Sequence, residues 1–85
     1  MANVTIYTRA FCPYCSRALS LLKDKGVALN HIDAGMDSKK KAEMIQKSGG
    51  ARTFPQIFIG DLHIGGCDEM MALERAGKLD ALLAA

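Results

Sequence analysis

Residues 3–25 read NVTIYTRAFCPYCSRALSLLKDK and join two kinds of hydrophobic periodicity through a short loop. Side chains alternate between an apolar and a mixed face over Asn3–Thr8, and this period of two predicts a β-strand. Over Pro13–Lys25 the apolar residues recur at spacings of three and four, which predicts a helix that Gly26 ends. The Cys-Pro-Tyr-Cys sequence between these segments therefore lies where a strand ends and a helix begins.

The same periodicities predict the remaining elements. These are a strand over Val27–Asp33, a helix from Asp37 or Ser38 to about Lys47, strands over Ile57–Ile59 and Leu62–Ile64, a helix from Asp68 to about Ala76, and a last helical turn over Leu79–Leu83. The first strand–helix–strand unit requires parallel strands, whereas Gly60-Asp61 closes an antiparallel hairpin. We therefore expect residues 1–85 to form a single α/β domain, a four-stranded mixed β-sheet flanked by helices in the order β-α-β-α-β-β-α.

Composition narrows the class of protein. Hydrophobic residues are 49% of the 85 residues and charged residues 24%, which excludes a disordered or collagen-like chain. The formal net charge of +2 is too small to indicate binding to nucleic acid or to a membrane surface. Lys39-Lys40-Lys41, a run of like charge, is predicted to be a solvated helix face. No stretch approaches the roughly 18 apolar residues of a transmembrane helix, and residues 1–6 do not resemble a signal peptide.

The number of cysteines indicates a compartment. Three cysteines are too few for a disulfide scaffold, and an odd number leaves at least one thiol free. This usage is typical of the cytoplasm, where glutathione and thioredoxin keep thiols reduced. We therefore expect a cytoplasmic protein that folds without disulfides.

Cys12-Pro13-Tyr14-Cys15 is the motif that carries chemistry. Cys12 falls at the N-cap of the predicted helix, where unpaired N–H groups and the positive end of the helix dipole stabilise a thiolate. Pro13 suits the first helical position, and Arg9 adds positive charge upstream. Two intervening residues bring Cys15 within disulfide reach of Cys12. The pair therefore predicts thiol–disulfide exchange, with Cys12 as nucleophile and Cys15 as resolving thiol.

A zinc-binding interaction module is the first alternative, because structural zinc sites also use Cys-x-x-Cys pairs. The sequence has no second such pair and no His-x-x-x-His pair, so Cys67 and His63 are the plausible further ligands. The proline inside the motif and the strand-to-helix context favour redox chemistry over a metal site.

Three motifs in combination resemble one protein family. In order and spacing the chain is similar to glutaredoxins of the short bacterial dithiol type, at Cys12-Pro13-Tyr14-Cys15, Thr53-Phe54-Pro55 and Gly65-Gly66-Cys67-Asp68. The resemblance spans nearly the whole chain and implies a thioredoxin-like fold. It also implies an oxidoreductase that reduces protein–glutathione mixed disulfides and other disulfides, with glutathione as co-substrate and no tightly bound cofactor. We expect a monomer whose partners are glutathione and glutathionylated or disulfide-containing proteins, and neither nucleic acid nor a membrane.

The resemblance also implies which residues bind glutathione. They are Arg9, Tyr14, Thr53, Phe54, Pro55, Gly66, Cys67 and Asp68. Arg9 corresponds to the basic residue that meets the glycine carboxylate. Tyr14 would pack its ring beside the sulfurs, and Thr53 would orient the loop.

The same resemblance assigns backbone contacts to two segments. A cis bond before Pro55 would leave the N–H and C=O of Phe54 free to pair, like a strand, with the cysteine of glutathione. The amides of Cys67 and Asp68 would open a helix and bind the γ-glutamyl carboxylate. The Asp68 carboxylate would face the α-ammonium group.

Some residues depart from the family pattern or complicate it. Phe54 stands where the family usually has valine, which could alter sheet packing or the range of substrates. Cys67 is interpreted as a small half-buried residue at a helix start, with an oxidisable regulatory thiol as the alternative. His31 and His63 have no partner pattern and are predicted to be strand or surface residues.

A non-enzymatic role is the second alternative. In this role Cys12 from two subunits and two glutathione molecules hold a [2Fe–2S] cluster, which the protein carries to other proteins. Pro13 stiffens the motif and disfavours this arrangement.

Overall fold

The computed structural model describes residues 3–84, which form four strands and four helices. The strands are β1 (Val4–Thr8), β2 (Leu29–Asp33), β3 (Gln56–Ile59) and β4 (Leu62–Gly65), and the helices are α1 (Pro13–Asp24), α2 (Ser38–Lys47), α3 (Cys67–Arg75) and α4 (Leu79–Ala84). This is the predicted order, with α4 as the predicted last turn. No helix within residues 3–84 is long and apolar enough to cross a bilayer.

The four strands form one mixed sheet in the order β2-β1-β3-β4. β1 is parallel to β2 and antiparallel to β3, and β3 and β4 form an antiparallel hairpin. Thr8 pairs with Asp33, and Tyr7 pairs with Gln56. The loop after β1 therefore begins between the end of β2 and the start of β3. The predicted α/β class and mixed sheet are confirmed.

Both faces of the two central strands, β1 and β3, are buried. On one face Val4 and Ile6 pack with residues of three helices. These are Ala18 and Leu22 of α1, Cys67 and Met70 of α3, and Leu79 and Leu83 of α4. On the other face Tyr7 and Phe58 pack with Met44 of α2, and the two rings meet edge to face with centroids 5.7 Å apart. The α/β/α layering therefore follows from the alternation within β1.

The second strand is shorter than predicted. β2 begins at Leu29 rather than Val27, because Leu29 is the residue that pairs with Val4 at the start of β1. Val27 still packs against the core, from the loop before the strand. The other strand and helix bounds agree with the prediction to within one residue.

Helix α2 begins as predicted. The Asp37 carboxylate caps it by accepting hydrogen bonds of 3.0 Å and 3.1 Å from the N–H groups of Lys39 and Lys40. Lys39 and Lys40 are exposed and Lys41 is half-buried. The charge run therefore lies largely on a solvated face, as expected.

The loop after β2 supports the loop after β1. The Ala34 N–H donates a 2.8 Å hydrogen bond to the Thr8 carbonyl oxygen. A Cβ atom at Gly35 would lie 2.6 Å from the Cβ of Arg9, so glycine is needed for this close approach. The segment that leads to the cysteine pair is therefore held from the β2 side.

Candidate active site

The cysteine pair lies at the junction of β1 and α1. Cys12 is the N-cap residue of α1, with extended backbone angles, and Pro13 is the first helical residue. The Cys12 Sγ accepts a 3.2 Å hydrogen bond from the backbone N–H of Cys15. The sulfur therefore takes the place that a side-chain oxygen has in an ordinary N-cap. A negative charge on it would face unpaired N–H groups and the positive end of the helix dipole.

Both thiols of the pair are recessed. Cys12 is 5% exposed and Cys15 is 3% exposed. Burial, followed by the hydrogen bond with Cys12, raises the pKa of Cys15 to about 11, and Arg9 offsets only part of this rise. Cys15 therefore remains a protonated thiol at neutral pH.

The loop before β3 reaches the cysteine pair. The Phe54 carbonyl oxygen lies 3.9 Å from the Cys12 Sγ, and the Phe54–Pro55 peptide bond is cis, as the family resemblance implied. The Gln56 side-chain amide donates hydrogen bonds of 3.0 Å and 3.1 Å to the carbonyl and hydroxyl oxygens of Thr53. Gln56 is itself buried, so these bonds hold the loop from inside the domain.

A cavity of about 210 Å³ lies between this loop and the start of α3. We call it the α3 groove. Its lining includes seven of the eight residues that the resemblance assigned to glutathione, namely Tyr14, Thr53, Phe54, Pro55, Gly66, Cys67 and Asp68. The eighth, Arg9, lines a different cavity.

Glu69, in the first turn of α3, is a site residue that the sequence did not single out. Gly66 is the N-cap, so α3 begins at Cys67, one residue before the predicted start. The Glu69 Oε1 accepts a 2.6 Å hydrogen bond from the Gly66 N–H, and Glu69 also lines the α3 groove. A glutamate three residues after an N-cap is the usual signal for this contact. Gly65 has φ +112°, and a Cβ there would lie 2.8 Å from the Glu69 carboxylate.

The third thiol is more buried than predicted. Cys67 is 3% exposed rather than half-buried, because it packs into the core cluster beneath α3. Burial raises the pKa of the Cys67 thiol, although the charge of Arg17 opposes the rise. Tyr14, by contrast, has a side chain that is 54% exposed at the edge of the groove.

A second cavity, of about 450 Å³, opens between α1 and the edge strand β2. We call it the β2 cavity. Its lining includes both Cys12 and Cys15, Leu19 of α1, and His31 and Asp33 of β2. It shares no lining residue with the α3 groove. Because β2 and β3 flank β1 on opposite sides, the two cavities lie on opposite sides of the cysteine pair.

Both histidines lie in strands, as predicted. The His31 Nε2 is 2.6 Å from the Thr8 Oγ1, and the His63 Nε2 is 2.6 Å from the Gln56 Oε1. The His63 ring also stacks on Phe58. Within residues 3–84, no group of three or more His, Cys, Asp or Glu side chains comes together as a metal site.

Phe11, which precedes Cys12, is another residue that the sequence reasoning did not single out. Its backbone has φ 57°, in the left-handed region, and it is 99% exposed. This conformation costs an L-residue other than glycine roughly 1–2 kcal/mol. Neither glycine nor asparagine, the residues that usually mark such a position, stands there.

Fold and site together define a thiol–disulfide oxidoreductase, a thioredoxin-like domain with a Cys-x-x-Cys pair at the start of a helix. The family model described as Glutaredoxin matches residues 4–64. The chain therefore belongs to the glutaredoxin family, as the three sequence motifs indicated.

Individual relatives agree with this assignment. A glutaredoxin of Pseudomonas aeruginosa is 54% identical over 85 residues, which is 100% of both chains. The solution structure of a glutaredoxin from Brucella melitensis is 57% identical, has a TM-score of 0.82, and is matched over 98% of this chain and 89% of that one. The crystal structure of a buckwheat glutaredoxin–glutathione complex is 36% identical, with a TM-score of 0.83 and coverage of 95% and 76%.

The raised pKa of Cys15 predicts its reactivity. At pH 7 the thiolate fraction of Cys15 should be about a hundredfold smaller than that of an ordinary cysteine, because only the thiolate reacts and its pKa is about 11. Brief treatment of the folded protein with iodoacetamide, followed by mass spectrometry, should leave Cys15 unmodified at pH 7 and modify it increasingly above pH 9. Unfolded protein, in which all three thiols react, is the control. Alkylation of Cys15 at pH 7 at the rate of a free thiol would contradict the assignment.

The left-handed backbone at Phe11 predicts a stabilising substitution. Phe11→Asn should raise the free energy of unfolding by about 1 kcal/mol, because asparagine tolerates positive φ and no buried contact is lost. For a domain of this size the melting temperature should rise by roughly 4–8 °C. Met36→Asn is the matched control, since Met36 is 98% exposed and lacks the positive φ. An equal gain in both variants would show that polarity, and not the backbone, is responsible.

Proposed function

We propose that this protein is a glutathione-dependent oxidoreductase that reduces protein–glutathione mixed disulfides and other disulfides. The observation that carries the proposal is the position of the α3 groove beside the N-cap sulfur. Phe54 lines the groove, and its carbonyl oxygen lies 3.9 Å from the Cys12 Sγ. A tripeptide in the groove would therefore hold its own sulfur next to Cys12. The buckwheat relative solved as a glutathione complex supports this choice of ligand.

The start of α3 is suited to the γ-glutamyl end of glutathione. The first N–H groups of a helix lack partners within the helix and attract anions. Because Glu69 engages the Gly66 N–H, the amides of Cys67 and Asp68 are left for the ligand carboxylate. The exposed Asp68 carboxylate then pairs with the α-ammonium group of the ligand.

The rest of the ligand extends along the loop before β3. The Phe54 backbone pairs with the cysteine of glutathione, Thr53 orients the loop, and the half-exposed Tyr14 ring covers the ligand. Arg9 is assigned to the glycine carboxylate, and it belongs to the β1–α1 loop that also carries Cys12. A volume of about 210 Å³ is below the usual 300–1,000 Å³ of ligand pockets, so the tripeptide would remain partly exposed.

The first step of the mechanism uses Cys12 alone. Its thiolate attacks the glutathione sulfur of a mixed disulfide, the old S–S bond breaks, and the substrate leaves as a thiolate that takes a proton from water. Cys12 then carries glutathione as a mixed disulfide. A second glutathione thiolate attacks the sulfur of the bound glutathione, releases oxidised glutathione and regenerates the Cys12 thiolate.

Cys15 provides the second route. When the substrate is a dithiol disulfide, Cys12 first becomes bonded to one substrate sulfur. The Cys15 thiol gives up its proton, which the departing substrate sulfur takes up, and the Cys15 sulfur attacks the Cys12 sulfur. The Cys12–substrate bond breaks, a Cys12–Cys15 disulfide forms, and the reduced substrate is released. Glutaredoxin disulfides have potentials of about −200 to −230 mV, so the glutathione pool can reduce them. The raised pKa of Cys15 keeps it protonated until this step.

The proposed cycle has requirements for the compartment, the cofactor and the oligomeric state of the protein. It needs a reducing glutathione pool, which is found in the cytoplasm, and it needs no tightly bound cofactor. One chain contains both thiols and the α3 groove, so a monomer suffices. Within residues 3–84, neither the iron–sulfur carrier nor the zinc-binding module has a specific structural observation in its favour.

Separate substitutions of the two cysteines test the assigned roles. Cys12→Ser should lower glutathione-coupled reduction of a glutathionylated peptide at least about a thousandfold, because the nucleophile is lost. Cys15→Ser should retain this activity and lose the reduction of a dithiol disulfide. Cys67→Ser is the control, since it keeps the backbone amide assigned to the ligand carboxylate and removes only a thiol that has no step in the cycle. Loss of deglutathionylation in Cys15→Ser would show that the roles are wrong.

Charge removal at the start of α3 tests the placement of glutathione. Asp68→Asn should raise the KM for glutathione about 5- to 10-fold, because an exposed pairing with the α-ammonium is lost, and should leave the melting temperature nearly unchanged. Asp61→Asn is the control, since Asp61 is an exposed acid in the turn between β3 and β4, away from the groove. A KM unchanged by Asp68→Asn would remove Asp68 from the site.

A further inference from the structure

Phe11 is an exposed aromatic residue beside a recessed nucleophile. Its side chain is 99% exposed, whereas the Cys12 that follows it is 5% exposed. Phe11 belongs to neither core cluster and does not line the α3 groove. It lines the β2 cavity, which also includes Cys12. Neither packing of the domain nor the proposed glutathione site therefore accounts for this ring.

The backbone at Phe11 makes the exposure more informative. A single exposed apolar residue needs no explanation by itself, since folded proteins have many. Phe11 also has φ 57°, which is an outlier for a bulky side chain. Strained backbone of this kind concentrates at functional sites, where the surrounding structure holds it in place. Here the strain holds a phenyl ring in solvent one residue before the nucleophile.

The two cavities divide the surface around Cys12. The α3 groove lies on the β3 side, and the β2 cavity lies on the β2 side. In the second route of the proposed cycle no glutathione is bound, Arg9 is free, and Cys12, which lines the β2 cavity, bonds directly to a substrate sulfur. The polypeptide of such a substrate therefore lies against this cavity. The β2 cavity is the larger of the two, at about 450 Å³. It therefore has room for side chains of a substrate.

We propose that Phe11 and the β2 cavity form the docking surface for the polypeptide substrate, and that the Phe11 ring contacts an apolar side chain next to the reactive cysteine of that substrate. This inference rests on the proposed function in one respect, that Cys12 is the nucleophile. In the second route the substrate sulfur has to reach Cys12, and consecutive Cα atoms are about 3.8 Å apart. A residue that neighbours the substrate cysteine is therefore brought to the residue that neighbours Cys12.

Charge gives this surface little selectivity. Arg9 and Asp33 line the β2 cavity with opposite signs, so neither acidic nor basic polypeptides are favoured by a net charge there. The aromatic ring of Phe11 and the partly buried Leu19 supply the apolar contacts. Discrimination between substrates thus depends on apolar contact rather than on charge.

A glutathione-free reaction tests the proposal. The Cys15→Ser protein is mixed with a short peptide whose cysteine is bonded to 2-nitro-5-thiobenzoate. The Cys12 thiolate attacks the peptide sulfur, the S–S bond of the peptide breaks, a Cys12–peptide disulfide forms, and the coloured thiobenzoate leaves as a thiolate. Two peptides are compared that differ only in leucine or serine beside the cysteine.

The expected result is a preference that depends on Phe11. The leucine peptide should react about 5- to 10-fold faster than the serine peptide, less than the discrimination of an enclosed apolar pocket because the ring is open to solvent. Adding Phe11→Asn should bring the two rates to within about twofold, and Phe11→Leu should preserve the preference. Met36→Asn, which changes an equally exposed apolar residue, should also preserve it.

Other outcomes separate the two proposals. Equal rates for the two peptides, or a preference that survives Phe11→Asn, would overturn the docking surface and leave the role of Cys12 intact. No release of thiobenzoate from either peptide would overturn Cys12 as the nucleophile, and both proposals with it. Because Phe11→Asn is expected to be the more stable protein, a melting curve distinguishes a lost contact from a lost fold.

Discussion

The hydrogen bond from the Cys15 N–H to the Cys12 sulfur is the contact on which the site depends. It requires Cys12 to be the N-cap and α1 to begin at Pro13. It also requires the preceding strand to end at Thr8, close to the start of α1. That strand, β1, lies between β2 and β3, so its end has a different neighbour on each side. One sulfur can therefore border one cavity on the β2 side and lie next to another on the β3 side.

Much of the fold was predictable from the sequence because its signals are local. The spacing of apolar residues in α1 and the turn residues Gly60-Asp61 each act within one segment, and both predictions are confirmed. The start of β2 was wrong by two residues because it is not a local property. Pairing begins where the partner strand begins, at Val4, and periodicity within residues 27–33 contains no information about that partner.

The site likewise has some features that are local in the sequence and others that are not. Cys12 and Cys15 could be placed from sequence because an N-cap is a local structure. The α3 groove combines segments that are distant in the chain, and only the family resemblance brought them together before the structure did. The Phe54–Pro55 isomer also came from that resemblance. Phe11 was missed for a physical reason, since sequence marks left-handed backbone by glycine or asparagine and this position has neither.

The cysteine pair is buried, whereas the aromatic rings next to it are exposed. Burial keeps Cys15 protonated and recesses Cys12, so in the proposed function a substrate is positioned by the residues around the cysteine pair. Those residues include Tyr14 at the α3 groove and Phe11 at the β2 cavity, and both are exposed. A domain is stable by only about 5–15 kcal/mol, and the smallest domains bury the least surface. A backbone strain of roughly 1–2 kcal/mol at Phe11 is therefore a substantial fraction of the total. A residue without a function would not account for such a cost next to the proposed nucleophile. Contact with substrate, as proposed above, is the explanation that the position of Phe11 supports.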